Sequence, residues 1–366
     1  MHQQKKVIIL CEYFPPSTNT AANRPFGWFT YLPENGYYPI IFCRNYVNKQ
    51  PYHLTKTEKG EIHAMYWEDD FFKRKIASTK NGIVKKICVA FHLLVENAWW
   101  YAPSKKMQSH IEDYLQRNKV KVIIATGSPF ALFPLAAALA EKSNTPWIAD
   151  YRDDWTSNEV FIKPTIAKWL QAVDTWREKR YVQSANFFTT VTAYYVQKIE
   201  KVIGKKGYCI ENGFMPMQRS ASTATYTPKE YVQEPKKLQV LYTGILYKSQ
   251  DITILLHALL RCQQSGIDTI RIQFIGSEKI PAILLQPPYK ELLGKYVFFN
   301  PRMPKELLDK EIEACDMLLF FSFHGKNGIL KGVPGSKLYD YIFSKKPILV
   351  CEPDNDIVQE KLTQTK

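Results

Sequence analysis

Three carboxylates and a guanidinium follow directly after an apolar run at Trp147–Ala149. They are Asp150, Arg152, Asp153 and Asp154. Charged groups at the carboxyl edge of a sheet line a ligand crevice more often than they face open solvent. One acid can pair with the arginine to stiffen the loop while another faces a substrate. The spacing therefore predicts a functional role for this segment.

A second segment has the composition of an anion-binding site. Gly335 and Ser336 come just before a predicted helix that carries Lys337 in its first turn and Asp340 one turn later. The free N–H groups and the positive dipole end of a helix N-terminus can face phosphate oxygens, and a lysine beside them adds charge. The same Gly-Ser pair is also a common helix cap, so the residues alone leave both interpretations open.

A glycine turn follows another predicted strand. Thr243 is followed by Gly244, and Tyr247 and Lys248 come shortly afterwards. A glycine at such a turn lets the backbone approach a diphosphate closely, while a nearby lysine supplies positive charge. A single glycine turn does not by itself identify a binding site.

Two further loops have an ordinary structural explanation beside the functional one. Pro16, Ser17 and Thr18 lead from the first predicted strand into a helix, where they can cap the helix or contact a ligand. Asn212 belongs to an Asn-Gly turn before the predicted domain boundary. We place all four residues in or near a crevice, with simple capping and turn formation as the alternatives.

Alternating strands and helices must position these loops. Short apolar runs bounded by turn residues predict buried parallel strands, and longer segments with helical spacing lie between them. The first series has strands at Val7–Cys11, Tyr38–Cys43, Val120–Ala125, Trp147–Tyr151 and Phe187–Val191 with helices at Ala21–Leu32, Pro129–Lys142 and Ile166–Gln183. The second has strands at Gln239–Thr243, Ile270–Ile275, Val297–Phe299, Met317–Ser322 and Pro347–Cys351 with helices at Ile252–Gln264, Lys305–Ala314 and Ser336–Phe343. The pattern predicts two doubly wound α/β domains.

A segment rich in Pro, Ser, Thr and Lys separates the two series. We predict a first domain at 1–214, a linker at 215–237 and a second domain at 238–366. The chain of 366 residues is 45% hydrophobic and 23% charged, which is ordinary for a globular protein of two domains. No signal peptide or apolar run of about 20 residues is apparent, so we expect a protein that is soluble or lies on a surface.

The cysteine pattern predicts a reduced, cytoplasmic protein. The number of cysteines is odd, none lies in a CxxC pair, and most are within apolar stretches. We therefore expect buried thiols, and neither disulfides nor a zinc site. The cysteines are at positions 11, 43, 88, 209, 262, 315 and 351.

The net charge of +14 points to a polyanionic partner or surface. Residues 71–106 interleave lysines and arginines with Phe, Trp and Tyr, as an interfacial membrane segment does. Packing of this excursion on the first domain, with a solvated cationic face, is the alternative. Nucleic acid is the rival partner, but no nucleic-acid-binding motif occurs, and we expect no nucleic acid.

Several of these segments together resemble the bacterial family 4 glycosyltransferases with the GT-B fold. The order and spacing of the segments match across nearly the whole chain, and the Asp-x-Arg-Asp-x-Trp segment is the strongest signal. The matching segments are Tyr13-Phe14-Pro15-Pro16, Gly127-Ser128-Pro129-Phe130, Trp147–Trp155, Ile210–Phe214, Tyr242-Thr243-Gly244 and Lys337–Tyr341.

The resemblance implies two Rossmann-like domains that face each other across a crevice. It also implies a retaining, metal-independent hexosyltransferase that needs no cofactor. The donor would be a nucleotide diphosphate sugar, and the acceptor a glycan or a lipid-linked molecule in surface polysaccharide or lipopolysaccharide assembly. Such an enzyme would be cytoplasmic and peripheral at the inner face of the membrane.

The resemblance also assigns roles to residues. Lys337 and the backbone of Gly335 and Ser336 would meet the diphosphate, and Lys248 would be a second cation. Asp340 would bind the ribose, and Arg302 would lie in the loop along the base. Asp153 and Arg152 would border the acceptor and the reacting carbon. The remaining assignments are Asp150 as catalytic, Gly244 and Tyr247 as donor-binding, and Pro16, Ser17, Thr18 and Asn212 on the acceptor side.

The chain departs from the family at four points, the first of which is the loop after the first strand, where the usual glycine-rich segment is Ser17-Thr18-Asn19-Thr20-Ala21. Gly332 stands eight residues before Asp340, where many members have a second acid, and Ile245 follows Gly244 where many have Arg. Members also continue beyond the strand that ends at Cys351, so the resemblance predicts an incomplete second domain. These departures keep open a non-catalytic nucleotide-binding or scaffold protein of the same fold.

Overall fold

A computed structural model gives the arrangement of residues 5–17, 19–98, 102–157, 168–213, 237–325, 328–330, 332–351 and 356–364. The chain divides into two compact units, Met1–Met215 and Pro216–Lys366. Thr18, Trp99, Trp100 and nearly all of the predicted linker lie outside the described residues.

The first unit is built on an eight-stranded sheet. Its order is β3-β4-β2-β1-β5-β6-β7-β8, and every neighbouring pair is parallel except β3 with β4. The central strands are apolar runs in which consecutive residues are buried, as expected for a parallel sheet covered on both faces. The strands are β1 Lys5–Leu10, β2 Tyr37–Arg44, β3 Tyr52–Lys56, β4 Glu61–Met65, β5 Val120–Gly127, β6 Trp147–Tyr151, β7 Phe187–Thr190 and β8 Gly207–Cys209.

Seven described helices accompany this sheet. Asn19 caps the 3₁₀ turn before the first helix through its side chain, and Thr192 caps the last helix in the same way. The helices are α1 Asn23–Tyr31, α2 Phe71–Ser78, α3 Gly82–Glu96, α4 Ala102–Arg117, α5 Leu132–Ser143, α6 Lys168–Val182 and α7 Ala193–Ile203.

The second unit has a smaller parallel sheet of order β11-β10-β9-β12-β15. Buried apolar side chains pack on both of its faces. Its strands are β9 Leu238–Thr243, β10 Ile270–Ile275, β11 Val297–Asn300, β12 Met317–Phe321 and β15 Ile348–Cys351, with a small hairpin of β13 His324–Gly325 and β14 Gly328–Ile329. Its helices are α8 Thr253–Gln264, α9 Lys305–Ala314, α10 Lys337–Ser344 and α11 Asp356–Gln364.

The predicted strands agree with the observed ones to within about two residues at each end, and the prediction of α/β architecture is confirmed. The β3–β4 hairpin was not predicted, because β3 lies at the sheet edge with mostly exposed residues and lacks a long apolar run. All seven cysteines are free thiols. Within the described part of the chain, no helix is long and apolar enough to cross a bilayer.

Candidate functional site: the carboxyl edges of the two sheets

Two glycine turns meet at the carboxyl ends of β9 and β10. Gly244 has φ +86° and Gly276 has φ +93°, and a Cβ on Gly276 would lie 3.3 Å from the Cα of Gly244. The Ser277 hydroxyl donates to the Gly244 carbonyl at 3.0 Å and accepts from the Leu246 N–H at 2.8 Å. Only glycine adopts such angles without strain, so this edge is a closely packed surface of backbone.

Helix α10 is fixed against the same edge by Tyr341. The Tyr341 hydroxyl accepts the Thr243 N–H at 2.9 Å, which holds α10 beside the end of β9. The Ser336 side chain makes no capping hydrogen bond with the helix, so simple capping does not account for this residue. Gly335 has φ +67°, and a Cβ there would lie 3.2 Å from the Phe323 ring. The α10 N-terminus therefore approaches this edge closely.

The side-chain ammonium of Lys337 lies over an aromatic ring at this edge. Its Nζ lies 3.7 Å from the centre of the Tyr242 ring and donates a hydrogen bond to the Tyr242 hydroxyl. A Cβ on Gly244 would lie 3.8 Å from the same Nζ. Burial lowers the pKa of Lys337 to about 7, and among the residues that the structure describes no carboxylate contributes to raising it.

A lysine held in this way would be stabilised in its charged form by a bound anion. Its ammonium is desolvated, and its neighbours are a phenol and a glycine backbone instead of an acid. The uncapped N-terminus of α10 adds the positive end of a helix dipole next to it. The arrangement suits a bound phosphate or diphosphate, whose charge would restore the positive state of Lys337.

The predicted donor residues Tyr247, Lys248 and Arg302 lie on loops that follow strands of the same sheet. The Tyr247 ring lies 5.9 Å from the Phe323 ring, which also borders Gly335. Lys248 and Arg302 have exposed side chains on loops after β9 and β11. The site residues that the structure joins by contacts are therefore Gly244, Tyr247, Gly335 and Lys337.

Asp340 is placed against α9. Burial raises its pKa, with Lys305 opposing the rise and Asp309 adding to it. Lys305 in turn pairs with Asp309 at 2.6 Å. The Asp340 carboxyl thus lies one turn beyond Lys337 and close to the first turn of α9.

In the first unit, Asp150 is completely buried and serves as the partner of Arg24. The Arg24 guanidinium binds both carboxylate oxygens, with Nη2 to Oδ1 at 2.7 Å and Nε to Oδ2 at 3.0 Å. The Thr189 hydroxyl donates to Oδ1 at 2.7 Å. Because these interactions occupy the carboxylate, Asp150 positions the loop and does not present itself to a ligand.

Arg24 also fixes the loop after β8. Its Nη1 donates to the Ile210 carbonyl at 2.7 Å and to the Asn212 side-chain oxygen at 3.4 Å. Asp150 and Asn212, two predicted site residues 62 positions apart, are therefore held by one guanidinium. An arginine suits this task because its planar fork offers several donors in fixed directions.

Arg152 and Asp153 form an ion pair at 2.9 Å, as the sequence analysis expected for one acid of the segment. The Asp153 side chain is 57% exposed, whereas Asp150 and Asp154 are buried. Of these three acids, Asp153 is the one that a ligand can reach. Arg152 lies near Tyr13, whose pKa is raised by burial and by Glu12 while Arg152 opposes the rise.

A buried acidic pair lies beneath this loop. Asp154 accepts from the Ser157 hydroxyl and lies 3.7 Å from Lys198 Nζ. Glu178 accepts from the Thr156 hydroxyl. Burial, together with the nearby charge of Asp154, raises the pKa of Glu178 to about 7.

The loop after β1 uses its polar residues for local turns. The Ser17 hydroxyl accepts the Asn19 N–H at 3.4 Å, and the Asn19 side chain accepts the Ala21 N–H at 2.9 Å. Pro16 is exposed, and Thr18 lies outside the described residues. Asn19 is thus the capping residue that begins the helix.

Three residues that shape these edges were not predicted as site residues: Tyr242, Arg24 and Gly276. The Gly276 turn repeats the strand-then-glycine pattern of Gly244, so the sequence contained a signal for it. Tyr242 and Arg24 act through partners that are 95 and 126 positions away in the chain. No local pattern marks such contacts.

Neither a family model nor a curated protein matches this chain. Solved structures with the same fold include the E. coli trehalose-6-phosphate structure bound with UDP-2-fluoro glucose, with a TM-score of 0.61, 14% identity, and 99% of this chain and 91% of that chain covered. The catalytic domain of Arabidopsis thaliana starch synthase IV, bound to ADP and acarbose, matches with a TM-score of 0.56 and 12% identity, and the match covers 96% of this chain and 86% of that chain. The trehalose 6-phosphate synthase of Burkholderia multivorans matches with a TM-score of 0.57 and 12% identity, and the match covers 95% of this chain and 83% of that chain. The fold is therefore that of the GT-B glycosyltransferases.

Proposed function

We propose that this protein is a glycosyltransferase that uses a nucleotide diphosphate sugar as donor. The observation that carries the proposal is Lys337, a desolvated cation held at the glycine turn of Gly244, whose pKa no acid in the described part of the chain raises. A donor diphosphate supplies the negative charge that this edge lacks. The GT-B fold, found in enzymes whose structures contain UDP-sugar or ADP, supports the same proposal.

The chemistry follows from the position of the charge. In the transfer, the bond between the sugar C1 and the diphosphate oxygen breaks, and the acceptor hydroxyl oxygen bonds to C1. The hydroxyl proton passes to the departing diphosphate. Negative charge grows on that leaving group, where Lys337 and the α10 N-terminus can stabilise it, so we infer a reaction that needs no metal.

The finer assignments remain proposals that extend this one. We infer retention at C1, with Asp153 and Arg152 near the acceptor and the reacting carbon and with Asp150 holding their loop through Arg24. The acceptor would be a glycan or a lipid-linked molecule in surface polysaccharide or lipopolysaccharide assembly. The protein would act in the cytoplasm at the inner face of the membrane.

The test is a calorimetric titration with UDP, GDP, ADP and CMP in the presence of a chelator. We expect saturable binding of one nucleoside diphosphate and its loss in Lys337→Met. Lys345→Asn is the matched control, because it removes a cation from the other end of α10 at a left-handed position that Asn tolerates. Binding that survives Lys337→Met would refute the donor site.

A non-catalytic nucleotide-binding or scaffold protein is the second candidate. The observation that favours it is Gly332, a buried glycine at φ +73° where many family 4 enzymes have an acid. Such a protein would bind the nucleotide without consuming the donor. Release of nucleoside diphosphate from the sugar nucleotide, measured with and without acceptor lipid extract, separates the two functions.

A further inference from the structure

The outer side of α2 and α3 carries a line of exposed apolar side chains, called here the outer stripe. It consists of Phe71, Ile83, Ile87 and Phe91, which are 63%, 73%, 52% and 48% exposed. Isolated apolar residues are common on protein surfaces, but four on two consecutive helices form a continuous feature. This stripe is the strongest unexplained feature of the first unit.

The spacing on α3 shows that the stripe occupies one face. Ile83, Ile87 and Phe91 follow one another at intervals of four, which aligns them along a helix. Cys88, on a different side of the helix, is buried. The face of α3 that carries these three residues therefore points to solvent, whereas the side that carries Cys88 is buried.

Aromatic contacts join the two helices into one surface. The Phe72 ring stacks on the Phe91 ring at 5.2 Å and meets the Phe71 ring edge-on at 5.5 Å. These contacts place α2 beside the C-terminal half of α3. A partner that covers the outer stripe would therefore touch both helices.

The acidic and basic residues between Phe71 and Val95 are all basic. Residues 71–95 contain six lysines and arginines and no aspartate or glutamate. Exposed lysines flank the stripe, and none has a carboxylate within 4.0 Å among the residues that the structure describes. They are Lys75, Lys80, Lys85 and Lys86. This combination of apolar side chains and unpaired cations complements an anionic lipid surface.

The inner side of the same helix pair borders the carboxyl edge of β1. Lys73 binds Asp69 at 3.0 Å, and His92 binds Asp70 at 2.7 Å. The charges of Lys73 and Glu96 both act on Tyr13, which lies just after β1. The helix pair thus carries the outer stripe on one side and faces, with its other side, the loop that we assign to the acceptor.

We propose that α2 and α3 rest on an anionic bilayer through the outer stripe and its lysines, and so bring the headgroup of a lipid-linked acceptor to the loop after β1. The identity of the acceptor rests on the proposed function, whereas bilayer binding by this surface stands on its own. The bilayer is favoured over a protein partner because Lys75, Lys80, Lys85 and Lys86 lie exposed beside the apolar side chains, whereas the nearest acids, Glu68 and Asp69, are already paired with Arg74 and Lys73.

The test is flotation of the full chain with vesicles of phosphatidylcholine alone or with phosphatidylglycerol added. We expect binding to the anionic vesicles and little to the neutral ones. Lys85→Gln/Lys86→Gln should weaken binding about 25-fold, at about fivefold for each cation removed. Ile87→Ser/Phe91→Ser should weaken it at least about tenfold.

The matched control is Lys119→Gln/Lys121→Gln, which removes two exposed lysines at the opposite, amino edge of the same sheet. Equal loss of binding in both lysine pairs would overturn the assigned surface, as would absence of vesicle binding by the wild type. A wild-type dimer that Ile87→Ser/Phe91→Ser dissociates, without vesicle binding, would make the stripe an interface between copies.

Nucleotide titration of the same variants separates this proposal from the proposed function. The stripe variants should bind nucleoside diphosphate as the wild type does, because they alter only the first unit. Vesicle binding without nucleotide binding would refute the donor site and leave the membrane surface standing. Nucleotide binding without vesicle binding would do the reverse.

Discussion

Replacing Lys337 by Met should stabilise the second unit while it removes nucleotide binding. Methionine fills a similar volume without a charge, and the Tyr242 hydroxyl keeps its hydrogen bonds to the Ile245 carbonyl and the Gln250 side chain. The wild type keeps a desolvated ammonium that the fold does not neutralise. A group that lowers stability at a ligand site is expected when its task is binding.

The size of the effect follows from the shift in pKa. Lys337 titrates near 10.5 when unperturbed and at about 7 in the folded protein. Between these values the unfolded chain binds more protons, so wild-type stability rises by about 1.4 kcal/mol per pH unit. Below pH 7 the lysine is charged in both states, and the destabilisation is complete, at most about 5 kcal/mol. The advantage of Lys337→Met should therefore shrink by about 3 kcal/mol between pH 6 and pH 9.

The assay is urea unfolding followed by far-ultraviolet circular dichroism at pH 6 and pH 9. All 8 tryptophans lie before residue 216, so their fluorescence reports the first unit and serves as an internal reference. Lys345→Asn should show no pH-dependent difference from the wild type. A Lys337→Met variant that is less stable at pH 6, or whose gain is the same at both pH values, would refute the reasoning.

Three further predictions concern other buried or constrained residues. Arg24→Met should destabilise the first unit by about 3–5 kcal/mol in urea unfolding followed by tryptophan fluorescence, because Asp150 is left buried without its partner. Adding Asp150→Leu should recover part of the loss. No loss of stability in the single variant would contradict the role of Arg24 in holding Asp150 and the loop after β8. Gly244→Ala should weaken nucleotide binding at least about tenfold, because its Cβ would point to Lys337, whereas Gly204→Ala, also at positive φ but in open space, should leave affinity unchanged. The wild type should lose at most about 3 kcal/mol of stability as pH rises from about 4.5 to 7, since the raised pKa keeps Glu178 protonated in the folded state but not in the unfolded chain. Glu178→Gln should remove this loss. Identical stability–pH profiles of the variant and the wild type would contradict the prediction.

The fold was predictable because its strands are short apolar runs that end in turn residues. β1, β6, β9 and β10 each combine such a run with a glycine, proline or charged turn, and parallel sheets require strands buried on both faces. The hairpin of β3 and β4 lacks that signal, because the residues of β3 are mostly exposed and form no hydrophobic pattern from which its pairing with β4 could be predicted.

The candidate site was predictable at its loops and not at its supporting contacts. Gly244 and Lys337 are marked by local patterns, a turn and a helix start. The Tyr242 ring under the Lys337 ammonium depends on the crossing of β9 and α10, which no local pattern shows. The three acids of the 150–154 segment look alike in sequence, and only burial separates Asp153 from Asp150 and Asp154.

The measurement that tests the central claim most directly is proton uptake on nucleotide binding. At pH 8, a Lys337 with a pKa of about 7 is mostly neutral, and a bound diphosphate should return it to the charged state with uptake of about 0.9 proton. Calorimetry in two buffers of different ionisation enthalpy gives this number. The account predicts uptake near one proton at pH 8 that falls steeply towards pH 6. Binding at pH 8 without proton uptake would contradict the placement of the diphosphate on Lys337.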